Sequence, residues 1–108
     1  MLDTTDLTTA VERFADRLRV APQSRLQRGA AAEALELARE LARRAQIIEN
    51  PDSAPLIMPD AGIFAAADQV TVAGTDLAEA LRTAPPGAVE GLAEAVALVR
   101  AAAERAGM

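Results

Sequence analysis

Residues 60–82 read DAGIFAAADQVTVAGTDLAEALR, and whether this stretch is one helix or hides a strand decides the fold class of the chain. Ile63, Ala67, Val70, Gly74, Leu77 and Leu81 follow steps of four, three, four, three and four, which align side chains on one face of a helix. Asp68, Gln69, Asp76 and Glu79 fall elsewhere on the wheel. The rival assignment is a strand over 69–73, because Val70-Thr71-Val72 is β-branched and Gly74-Thr75-Asp76 suits a turn. Such a strand would lack a partner, since no other segment alternates with a period of two. The spacing therefore predicts a helix over 60–82 and an all-α protein. Ala67, Gly74 and Ala78 on its inner face predict close approach of a neighbouring backbone. Leucine at 74 should overpack that contact, and alanine should be far milder.

Working outward, Leu7, Val11, Phe14 and Leu18 predict a helix over about 5–20, with Asp3, Thr5 and Asp6 offering capping oxygens. The chain breaks at Ala21-Pro22, and Ser24-Arg25-Leu26-Gln27 has the form of a capping box. A second helix is expected over about 25–48, with Leu26, Ala30, Ala34, Leu37, Leu41, Ala45 and Ile48 as its apolar stripe. Asn50-Pro51 ends it, and residues 50–59 hold three prolines. After Ala84-Pro85-Pro86-Gly87, the residues Val89, Leu92, Val96, Val99 and Ala103 define a last helix ending near Gly107. The expected architecture is one domain, residues 1–108: an all-α four-helix bundle, mostly antiparallel, with a longer Pro-rich connection between the second and third helices. Ten extended residues span ~33 Å, so those two helices need not be antiparallel neighbours.

Composition narrows the chemistry. Apolar residues make up 51% of the chain, which excludes disorder, but only Phe14 and Phe64 are aromatic. Leu, Ile, Val and Ala must build the core, and alanine favours helix. There is no cysteine, so disulfides, iron–sulfur clusters and thiolate zinc sites are excluded. Without histidine the usual general base and the commonest transition-metal ligand are gone. All 11 basic residues are arginine, which excludes Schiff-base lysines and fits the codon bias of a GC-rich bacterial genome. The net charge of −5 arises after residue 50, where three arginines face eight acids; residues 1–50 hold eight of each. That asymmetry argues against nucleic acid. The first residues lack a basic stretch followed by an apolar one, and no apolar run approaches a membrane span, so a cytoplasmic protein is expected.

Four features invite a functional reading. Glu33, Glu36 and Glu40 have the Glu-x-x-Glu spacing that binds magnesium in some helical nucleotide pyrophosphatases. Arg39, Arg43 and Arg44 stand within three or four residues, so an ion-paired polar face is expected instead. A ferritin-like di-iron site needs a histidine that is absent. Asp52-Ser53-Ala54 is similar over two residues to the Asp-Ser-Leu attachment site of acyl carrier proteins, which are also small, acidic and four-helical. In that family the serine opens a helix, whereas Pro55 and Pro59 follow here, so a turn with Asp52 or Ser53 bonding local backbone is expected. Arg13, Arg17, Arg19, Arg25 and Arg28 form the most basic stretch, but Glu12 and Asp16 dilute it and Arg19 points away on the wheel. It reads as a solvated or intersubunit ion-pairing surface. Last, Pro55-Leu56-Ile57-Met58-Pro59 places three large apolar residues in a loop, as a plug for the bundle or a docking site.

No catalytic, cofactor-binding or metal-binding residue is predicted. The expected role is a non-enzymatic helical interaction or oligomerisation module, binding a second copy of itself as a dimer or another protein, with neither nucleic acid nor membrane as partner. Leu56, Ile57, Met58, Val72 and Leu98 are the candidate docking residues, since Leu35, Ile47, Phe64, Val72 and Leu98 lie at or off the edges of the inner stripes. The alternative is a small carboxylate- and metal-dependent enzyme, or an anion-binding helical enzyme or ligand-binding protein.

Overall fold

The computed structural model describes residues 1–108 and contains helices but no strands. Helix α1 spans Thr5–Val20, α2 Gln23–Arg25, α3 Ala31–Glu49, α4 Ala66–Arg82 and α5 Ala88–Arg105. A kinked segment, Leu26–Ala30, joins α2 to α3, and a 3-10 turn, Ile63–Ala65, leads into α4. Residues 69–73 are helical, so the strand alternative fails. The Thr71 hydroxyl donates back to the Ala67 carbonyl at 2.9 Å, which accommodates one of the β-branched residues inside the helix. No helix is long and apolar enough to cross a membrane.

Helix starts differ from the expected capping scheme: of Asp3, Thr5 and Asp6 only Asp3 caps backbone. The Asp3 carboxylate accepts the Thr5 backbone N–H at 2.9 Å ahead of α1, and its pKa is lowered chiefly by the bond from the Thr5 hydroxyl and next by this backbone bond. The capping box at Ser24 does not form: α2 already begins at Gln23, behind an extended Pro22, so Ser24 and Gln27 lie inside the helical run. The continuous helix expected over 25–48 is broken at Gly29, whose φ of 143° belongs to a region that side-chain-bearing residues rarely enter.

Four long helices surround the core in the spatial order α1, α4, α3, α5. The Leu2 N–H donates to the Arg82 carbonyl at 3.1 Å and Arg19 reaches Asp68 at 3.3 Å, so α1 and α4 run in opposite directions. Arg44–Glu94 and Arg105–Glu33, at 2.8 and 2.7 Å, oppose α3 and α5 in the same way. The other two neighbouring pairs are parallel. Leu26 and Ala31 flank the same hollow as Ile63 and Ala66, at the starts of α3 and α4. Arg25 of α2, just beyond the end of α1, donates to the Gly107 carbonyl past the end of α5, at 3.0 Å.

The mostly antiparallel arrangement expected from short connections is therefore confined to α1/α4 and α3/α5. The cause is the connection over residues 50–62, which turns back along α3. Gln46 exchanges hydrogen bonds with the backbone of Leu56, Arg39 Nε donates to the Met58 carbonyl at 2.8 Å, and Gln69 donates to the Pro59 carbonyl at 2.8 Å. These side chains hold an extended, proline-rich backbone that cannot satisfy its own carbonyls. The chain is thereby returned to the end of the bundle where α3 began.

One continuous core holds 26 buried residues, 14 of them alanine. The predicted stripes of α1, α3 and α4 are buried except at their ends, where Ile48 and Ile63 are half-buried. On α5 the expected stripe is rotated. Val89 is exposed, and Ala88, Ala95, Val96, Val99 and Ala102 face inward. Gly74 is buried where α4 crosses α1. A β-carbon at that position would lie 2.6 Å from Val11 Cγ2 and 3.2 Å from Val11 Cβ. The contact is tighter than the stripe suggested, and even alanine cannot enter without displacing a stiff β-branched neighbour.

Candidate functional site

The acidic face of α3 is occupied by arginines. Glu40 accepts from Arg43 and Arg44, both at 2.7 Å, and Arg44 also donates to Glu94 on α5. Glu33 accepts from Arg105 of α5, and Glu36 lies 4.0 Å from Arg39. The Glu40 carboxyl is held down to about 2, chiefly by the Arg43 hydrogen bond, with Arg44 adding to it and partial burial opposing it. Arg43 and Arg44 are raised in return, first by their bonds to Glu40. The pairing within α3 was legible as neighbours three and four apart. Its extension to Glu94 and Arg105 was not, because those residues come to α3 only through the fold.

Asp52 and Ser53 lie exposed in the turn that follows α3, where the Ser53 N–H donates to the Asn50 carbonyl at 3.1 Å. No helix opens at Ser53, so the geometry of a carrier-protein attachment site is absent.

The basic stretch separates into two groups. Arg19 turns toward α4, pairing with Asp16 and Asp68 and donating to the Thr71 hydroxyl at 3.4 Å. Arg13 and Arg17 turn toward α5 and line a groove of 510 Å³. Arg100 meets them there from α5, above a floor of Ala10, Phe14, Val99 and Ala103. Arg17 donates to the main-chain oxygen of Met108, and none of these three arginines pairs with an Asp or Glu side chain. Asp6 and Glu104 also line the groove. Arg100 lies far along the chain from Arg13 and Arg17, and only knowledge that α1 and α5 are parallel neighbours unites the three.

The predicted docking residues do not form a single surface. Leu56 and Ile57 are 81% and 80% exposed, on the connection above the Arg39 and Arg43 side of α3. Val72 is 55% exposed on the outer side of α4, and Met58 and Leu98 are half-buried against the core. Phe64, noted only as lying off the stripe, is 73% exposed at the entrance to α4. Val20 and Val89 are exposed as well, which periodicity did not flag. Comparison of the chain with models of protein families, with curated proteins and with solved structures finds no match.

Proposed function

We propose that the chain is a non-enzymatic helical interaction module that self-associates, most simply as a two-fold dimer. The observation that supports this is the exposure of Phe64, Val72, Leu56 and Ile57 on a chain whose core is already closed without them. A soluble surface that leaves several large apolar side chains in water gains free energy by covering them, about 25 cal/mol for each Å² removed from water. A two-fold contact lets either patch, Phe64 with Val72 or Leu56 with Ile57, cover its own copy. Engagement of the α3 acids by arginines removes support from the carboxylate–metal alternative, because a divalent cation would have to displace those partners.

Light scattering at micromolar concentration tests the proposal, with a dimer mass as the expected result; a monomer mass overturns it. Given a dimer, Phe64→Arg and Val72→Arg place a charge on exposed positions without disturbing the core. At least one of them should yield a folded monomer. Neither having any effect would move the contact away from α4 and toward Leu56 and Ile57.

A further inference from the structure

We infer that the groove between α1 and α5 binds a small anionic amphiphile, a carboxylate or phosphate monoester carrying a short apolar body. Arg13 and Arg17 stand one turn apart on α1, and Arg100 faces them from α5 across an opening of 510 Å³, a size typical of small-molecule clefts. Acids outnumber bases 16 to 11, and Arg19, Arg39, Arg43, Arg44 and Arg105 all reach carboxylates. Six arginines reach no Asp or Glu, among them Arg25, Arg28 and Arg82, but only Arg13, Arg17 and Arg100 are gathered in one hollow. Gathering like charges is unfavourable unless an anion offsets it, and guanidinium groups grip carboxylate and phosphate with paired N–H donors. The Met108 carbonyl takes one donor of Arg17, and a guanidinium has five.

The remaining lining sets the size and charge of the ligand. Asp6 and Glu104 lie in the same groove without pairing to the arginines, so the lining is only modestly positive and suits one anionic head rather than a polyanion. Beneath the heads, Ala10 and Ala103 contribute small side chains from opposite walls, with Phe14 and Val99 below. Phe14 and Val99 are buried behind these alanines and Thr9 adds a hydroxyl beside them, so the apolar part of the lining is small and suits a short apolar body. The inference goes beyond self-association and does not depend on it, since the exposed residues invoked there lie on α4, the 3-10 turn before it and the 50–62 connection.

Titration of the ¹⁵N-labelled protein with decanoate, decyl phosphate and inorganic phosphate tests it, each below any micelle-forming concentration. Saturable shifts at Ala10, Ala103 and the Arg13 and Arg100 side chains are expected for the two amphiphiles, with inorganic phosphate much weaker. The double variant Arg13→Gln, Arg100→Gln should weaken binding by about tenfold or more, because it removes two charge-assisted donors, while Arg28→Gln should not. Three results overturn the inference: no saturable shift, equal binding of inorganic phosphate, or binding that survives the double variant. If binding survives there and is lost in Phe64→Arg, the amphiphile occupies the exposed apolar surface instead. Light scattering on the same samples keeps the two proposals apart, since a monomer that still binds leaves the groove assignment intact.

Discussion

Helices α4 and α5 each bridge α1 and α3, one on either side of the bundle, yet they do so by different means. In α4, nine of 17 residues are buried, and the contact with α1 is so close that Gly74 has no room for a side chain. In α5, five of 18 are buried, and polar contacts tie much of its length: Glu94 to Arg44, Arg105 to Glu33, and the carbonyls of Gly107 and Met108 to Arg25 and Arg17. Dry contact between small residues brings backbones together and leaves no space. Long arginines at the edge of a helix hold it at a distance, and a groove remains. The same two partner helices thus receive a structural neighbour on one side and an adjustable one on the other.

The sharpest way to break this contrast is at Gly74. Leucine there should destabilise the fold by about 1–3 kcal/mol or more through overpacking. Alanine should also destabilise, by about 1–2 kcal/mol, even though Gly→Ala in a helix interior is otherwise favourable by about 1 kcal/mol. Combining Gly74→Ala with Val11→Ala removes the two γ-carbons that the new methyl would strike. Urea unfolding should then show the double variant at least about 0.5 kcal/mol more stable than the sum of the single changes. Strict additivity would mean that α1 and α4 are not in close contact in solution.

On the α5 side the corresponding test is electrostatic. Glu40 holds Arg44, and Arg44 in turn holds Glu94 of α5. The folded-state pKa of Glu40 is depressed from 4.5 to about 2, so its contribution is complete above pH 4.5 and is lost as pH falls through about 2. Glu40→Gln should lower stability at pH 7 by about 1–2 kcal/mol, allowing for solvent screening of a partly exposed group. The difference between wild type and variant should begin to narrow below pH 4.5 and close near pH 2. A difference that does not change with pH would assign the effect to packing, and α5 would then resemble α4 more than the structure indicates.

The contrast between the two helices also explains what could be read in advance. Steps of three and four located α1, α3 and α4, because burial in a helix leaves a periodic trace and Leu7, Phe14, Leu41 and Leu77 carry it strongly. The trace was weaker in α5, where valine and alanine alternate around the wheel; the larger residue was assigned inward, and the fold buries Ala88 while leaving Val89 in water. Helix order was left open by the length of the Pro-rich connection and not fixed by it. It depends on the 50–62 connection lying back along α3, an outcome fixed by donors on Gln46, Arg39 and Gln69 that no local pattern announces. The groove shared this fate: Arg13 and Arg17 stood out as part of a basic stretch, but Arg100 joins them only once α1 and α5 are known to be parallel neighbours.

The smallest expected effect is the most direct probe of whether the groove is open. Arg13 sits in the middle of α1, away from the helix ends where a cation gains from the helix dipole, and it has neither a hydrogen-bond nor an ion-pair partner. Its charged neighbours three and four residues on are Asp16, which Arg19 engages, and Arg17, a like charge that at this spacing disfavours the helix by about 0.2–0.5 kcal/mol. Arg13→Gln should therefore leave stability unchanged or raise it by a few tenths of a kcal/mol at low ionic strength, and the gain should vanish at about 1 M salt, where the screening length falls to about 3 Å. Urea unfolding at the two salt concentrations measures both. A loss of more than about 1 kcal/mol would instead mean that Arg13 is engaged in solution by Asp6 or Glu104, the only acids lining the groove. The groove would then be closed by its own ion pairs, and α5 would be fixed to α1 as firmly by charge as α4 is by contact.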